Sequence, residues 1–213
     1  MTHPPTLLRL VLIPLLASGA RAGTVFLNEI HYDNTGGDVG EFVEVAGPAG
    51  TDLSTWSVAF YNGLNGSVYA TLPLSGVLPD QQGGFGTLAF DHAGIQNGAP
   101  DGLALVHGSD VRQFLSYEGS FAAVGGPADG MSSTDIGVAE SGSTPAGHSL
   151  QLFGSGSCYE DFVWGSPASE SPGRINRDQR FVGARVPDGG SSLALLFLSL
   201  ACLGPARRLR GRG

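Results

Sequence analysis

Residues 25–33 read Val25-Phe26-Leu27-Asn28-Glu29-Ile30-His31-Tyr32-Asp33, and residues 41–45 read Glu41-Phe42-Val43-Glu44-Val45. Side chains of an extended chain point alternately to opposite faces. Alternation places Phe26, Ile30 and Tyr32 on one side of the first stretch, and Val43 and Val45 on one side of the second. Both therefore read as β-strands with one face turned to a core. Between them Asn34-Thr35-Gly36-Gly37 supplies turn chemistry, since Asn and Gly tolerate the backbone angles a reversal needs.

The same pattern recurs outward from this pair. Short apolar runs occupy residues 56–61, 67–74, 86–90, 102–106, 111–117, 148–153 and 161–164. Asn62-Gly63, Asn65-Gly66, Gly83-Gly84 and Gly125-Gly126-Pro127 punctuate them. Period-2 runs at regular spacing predict an all-β chain, an antiparallel sandwich or barrel. No helical stripe of useful length appears outside the two ends. The Gly-, Ser- and Thr-rich residues 122–147 read as one long loop. The 34 glycines of the 213 residues follow no three-residue period, which excludes a collagen-like chain.

Charge is distributed unevenly. There is no lysine, and residues 23–173 hold 17 acids against the single base Arg112, a net formal charge of −16. Binding to phosphate backbones depends on cations that displace counterions, so a body this acidic is expected to repel nucleic acid and anionic lipid unless a metal intervenes, and direct nucleic-acid binding is not expected. Two cysteines, Cys158 and Cys202, fall on opposite sides of a presumed processing motif, so no disulfide between them is expected. Cys158 has no neighbouring histidine in sequence to generate a thiolate.

The two ends differ from the body. Arg9, an apolar run over residues 10–17, and the small residues Ala20 and Ala22 around Arg21 have the layout of a secretory signal peptide cleaved after residue 22. An uncleaved anchor is the alternative. At the other end Val186-Pro187-Asp188-Gly189-Gly190 precedes an uncharged stretch over residues 189–206, then Arg207, Arg208, Arg210 and Arg212. The stretch is at the short limit for a membrane-spanning helix, and the arginines would hold its far end at the cytoplasmic face. The alternative is a buried C-terminal helix of the globular domain. The domain organisation expected is a signal peptide (1–22), a β-sandwich (23–180) and a C-terminal segment (181–213).

These residues carry two resemblances. The tail, Val186-Pro187-Asp188-Gly189-Gly190-Ser191 followed by Leu193-Ala194-Leu195-Leu196 and terminal arginines, resembles the PEP-CTERM group of bacterial sorting signals in a Val-Pro-Asp variant. That resemblance implies a membrane protease, exosortase, as partner, with transient residence in the inner membrane. The body is similar to lamin-tail domains. The likeness lies in residues 25–33 with 41–45, Asp52-Leu53-Ser54 with Trp56-Ser57-Val58, Asp101-Gly102-Leu103-Ala104-Leu105-Val106, and Ser171-Pro172-Gly173-Arg174-Ile175-Asn176. It spans roughly residues 24–179 and implies an immunoglobulin-like antiparallel β-sandwich. Bacterial members are exported and often sit beside extracellular nuclease or phosphatase domains; no such partner domain is evident in this sequence.

The motifs that invite chemistry divide into weak candidates. Residues 33–44 begin with Asp and end with Glu, but position 5 is Gly37 and position 6 is Asp38, which excludes an EF-hand loop. A looser calcium site from Asp33, Asp38 and Glu41 stands against a solvated hairpin turn. Glu29, Glu41 and Glu44 invite comparison with paired catalytic carboxylates, against a structural role on the first strands. His31, His92, His107 and His148 lack the close spacing of a zinc site. Gly83-Gly84-Phe85-Gly86 lacks the lysine of a phosphate-binding loop. No catalytic residue and no obligatory cofactor is expected. The sequence reads as an exported, non-catalytic binding or structural domain of the envelope or extracellular matrix, with surface polysaccharide or protein as ligand. The competing reading is an accessory module or divergent hydrolase linked to extracellular nuclease or phosphatase activity, with calcium as a candidate cofactor.

Overall fold

The computed structural model describes residues 24–183. The signal-peptide residues Ala20 and Ala22, the motif Val186 to Gly190, the apolar stretch 189–206 and Arg207, Arg208, Arg210 and Arg212 lie outside the described residues. β1 (Phe26–His31) and β2 (Phe42–Pro48) pair antiparallel, as the opening pattern requires. Around them, β9 (His148–Gly156), β10 (Phe162–Ser169) and β5 (Phe85–Asp91) complete a sheet ordered β10-β9-β1-β2-β5. β11 (Gln179–Phe181) adds to β9 in parallel, at residues 154–156, beyond the point where β1 leaves off. The second sheet runs β4 (Ser67–Pro73), β3 (Trp56–Asn62), β6 (Asp101–His107), β7 (Asp110–Tyr117) and β8 (Thr134–Asp135). Among the described residues the helical content is a single 3-10 turn, Tyr159–Asp161; no helix is long and apolar enough to cross a membrane.

The two sheets enclose one apolar layer. Leu27, Ile30, Val43, Val45, Leu150 and Leu152 come from the first sheet, and Val58, Phe60, Leu103, Leu105 and Leu115 from the second. Burying a side chain of this size contributes roughly 1.5–3 kcal/mol. Cys158 is a free thiol, so among the described residues packing and hydrogen bonds hold the sheets together.

Simple alternation is interrupted by register shifts in the β1–β2, β3–β4, β6–β7 and β9–β10 pairings. The β1–β2 register slips between Leu27 and Glu29, leaving Asn28 as a bulged residue. The expected shared face of Phe26 and Ile30 is thereby broken: Leu27 and Ile30 pair with the core-facing Val45 and Val43. Phe26 nonetheless stays in the same apolar core as Ile30 and Tyr32, packed on Phe162, Tyr159 and Phe181. The long loop, in turn, is packed rather than free. Ala123 and Ala128 cover the outer face of the second sheet over Ala59, Tyr61, Ala104 and Phe114. The Tyr61 hydroxyl donates to the Gly125 carbonyl (3.2 Å) and accepts from the Ala128 N–H (2.8 Å).

Candidate functional site

The outer face of the first sheet should meet solvent, yet Glu29, Glu44, Ser149 and Gln151 on it are buried. The cover is the segment from Ser171 to Gln179. Glu29 and Glu44 lie directly opposite one another on β1 and β2. One Glu29 oxygen accepts from the Ser149 hydroxyl (2.5 Å) and the Ser171 N–H (2.8 Å); the other accepts from the Ser171 hydroxyl (3.0 Å). Glu44 accepts from the Asn28 amide (2.8 Å) and the Gly173 N–H (2.7 Å). The carboxylates therefore clamp the Ser171-Pro172-Gly173 turn onto the sheet.

The bulge completes the clamp. A bulged residue drops out of the ladder, and its buried polar groups need other partners. The Asn176 amide donates to the Asn28 carbonyl (3.2 Å) and the Leu152 carbonyl (2.9 Å), while the Gln179 amide donates to the Asn28 side-chain oxygen (2.7 Å). Burial raises both carboxyl pKa values. For Glu44 burial acts first and the neighbouring Glu29 second, and together they lift it from 4.5 to about 8. Glu29 is also raised, by burial against the bonds from Ser149 and Ser171 that lower it.

A second buried polar unit sits at the far end of β1. The His31 Nδ1 lies 2.9 Å from Glu140, and its Nε2 lies 3.1 Å from the Val39 carbonyl. Both ring nitrogens thus face acceptors, the arrangement of a doubly protonated imidazole. Glu140 also accepts from the Tyr32 and Asp33 N–H groups at 2.6 and 2.9 Å. Burial alone would push the imidazole down, but Glu140 and the Val39 carbonyl hold it above its ordinary value.

Next to this unit lies an acidic end. Tyr32 and Tyr117 stack at 3.9 Å, and the Tyr117 hydroxyl donates to the Gln96 carbonyl. Asp101 accepts from the Gly63 and Gly98 N–H groups, both at 2.8 Å. Asp33 is raised by burial and then by Asp38 beside it. Glu118 and Asp101 are raised, chiefly by burial. The three calcium candidates do not converge. Asp33 and Asp38 approach each other and Asp38 accepts from the Asn97 amide (3.3 Å), whereas Glu41 turns to the Gly94 N–H (2.6 Å). Among the described residues no three His, Cys, Asp or Glu side chains come together as metal ligands.

The remaining histidines are separate, two of them in packing: His92 stacks on Phe60 and His107 on Trp56, each at 4.4 Å. Among the shallow grooves that open on the described surface, two lie beside the first sheet. One, of about 440 Å³, lies between the start of β1, β7 and the 3-10 turn, and includes Arg112 and Cys158. The other, of about 430 Å³, lies on the outer face of β9 and β10, beside Asn176, Arg177 and Asp178.

Comparison of the chain with protein-family models, curated proteins and solved structures finds no match. Sequence reasoning had Glu29, Glu44 and His31 but missed their partners. Glu140 carried little signal, as one of three acids in the Gly- and Ser-rich residues 122–147. Asn176 and Gln179 carried none, because their role depends on a bulge over a hundred residues away.

Proposed function

We propose that this chain is an exported, non-catalytic binding or structural domain, delivered to the bacterial envelope by a signal peptide and a sortable tail. In this reading it is a substrate of signal peptidase and of an exosortase-type protease, and its sandwich is of the immunoglobulin-like, lamin-tail kind. Two antiparallel sheets around one core support the fold assignment. The observation that carries the non-catalytic reading is the commitment of the buried carboxylates: Glu29 and Glu44 are taken up in holding Ser171 and Gly173. Catalytic acids need a reachable cleft beside the reacting group, and these two lie beneath the covering segment.

The test is made in the native host by fractionation. Replacing Val186, Pro187 and Asp188 with alanine should leave the chain in the inner-membrane fraction, while the unaltered chain leaves it. An identical distribution for the two chains, or recovery of the unaltered chain from cytosol, would remove this function.

A further inference from the structure

We infer that the outer face of β9, β10 and β11 is a membrane-docking surface that seats the domain on anionic lipid headgroups beside its own tail; this rests on the anchored-export reading above. Phe153 and Val163 are directly paired neighbours on β9 and β10, 43% and 58% exposed. Large apolar side chains grouped on one face mark an interaction surface. Arg180 pairs with Ser155 in the β9–β11 register, and alternation puts it on the Phe153 face. Val182, two residues on and 48% exposed, follows it there. Arg177 lines the same groove as Phe153, with Asp178 beside it.

Charge and chain length choose the occupant. Residues 23–173 carry net −16 and would be repelled by an anionic bilayer. Arg174, Arg177 and Arg180 are exposed and have no carboxylate within ion-pair distance among the described residues. Basic side chains mixed with exposed apolar ones are the composition that settles at a headgroup layer. The described chain ends at Gly183, and the apolar stretch begins at residue 189. Six residues reach at most about 20 Å, so an inserted tail keeps this face within reach of the bilayer.

The probe is Phe153→Trp in the full chain, in nanodiscs of phosphatidylcholine alone or mixed with phosphatidylglycerol, with bromine on the upper acyl chain. Trp56 and Trp164 are buried, and the unsubstituted chain supplies their background. The introduced indole should be quenched in the anionic discs and much less in the neutral ones. Arg177→Glu with Arg180→Glu should lower the docked-to-undocked ratio about fivefold or more per arginine, with the chain still held in the disc and its circular dichroism unchanged. Quenching that ignores lipid charge or the two substitutions, in a chain held by the disc, overturns the docking surface and leaves anchoring intact. A chain that does not enter the disc overturns both. Fluorescence of the introduced indole that answers only to a soluble uronate polymer makes the face a glycan site and overturns the lipid assignment.

Discussion

Glu44 is the residue whose position has the largest consequence for solution behaviour. Its carboxyl group titrates near 4.5 when unfolded and about 8 when folded. Between those values the folded chain binds more protons than the unfolded one, so stability falls as pH rises. Glu44 thus contributes its full stabilisation below about 4.5 and loses it progressively up to about 8. His31, also raised, has the same sign, starting from 6.5. The melting temperature should therefore be higher at pH 5.5 than at pH 8.5. Glu44→Gln, which removes the charge but keeps the shape, should flatten that slope in calorimetry across the interval. An unchanged slope would show that Glu44 is ionised when folded. His31→Ala should leave Glu140 buried without its counter-charge and cost about 3–5 kcal/mol by urea denaturation at pH 5.5. Both residues were visible in sequence as polar positions in strands. What was hidden was their cover: a segment near residue 175 returns across Glu44, and Glu140, over a hundred residues on, closes over His31.

At the scale of elements, strands and turns were legible wherever local pattern decides. All nine runs with period-2 alternation are strands, with ends within a few residues of expectation, except that β9 and β10 extend further. β8 and β11 were not legible, since two or three residues carry no period and each pairs in parallel with a strand distant in sequence. The packing of the Gly-rich loop was equally invisible: small alanines and glycines show no stripe, yet they fit closely over Tyr61. Tyr61→Phe should loosen this loop and cost about 1–2 kcal/mol, read as faster amide exchange in residues 123–131 with the strand amides unaffected. Gly86 tests close approach of backbones. A Cβ there would collide with the Pro79 carbonyl oxygen, so Gly86→Ala should cost at least about 2 kcal/mol in the same denaturation assay. An unperturbed Gly86→Ala protein would mean that β5 and the segment at Pro79 are further apart.

The whole molecule combines an acidic sandwich with a basic strip at its C-terminal side, followed in sequence by a motif, an apolar run and arginines. Composition alone disclosed the charge segregation; the structure adds that Arg174, Arg177 and Arg180 are exposed beside the last strand. The calcium candidates show the limit of reading spacing: Asp33, Asp38 and Glu41 are close in sequence, but the turn sends Glu41 to another loop. The central claim, that terminal segments export this sandwich and are then removed, is tested most directly by intact-mass analysis of the protein from its native host. A chain that begins at Gly23 and ends before Gly213, close to residues 186–190, is the predicted result. A mass equal to that of all 213 residues would contradict it.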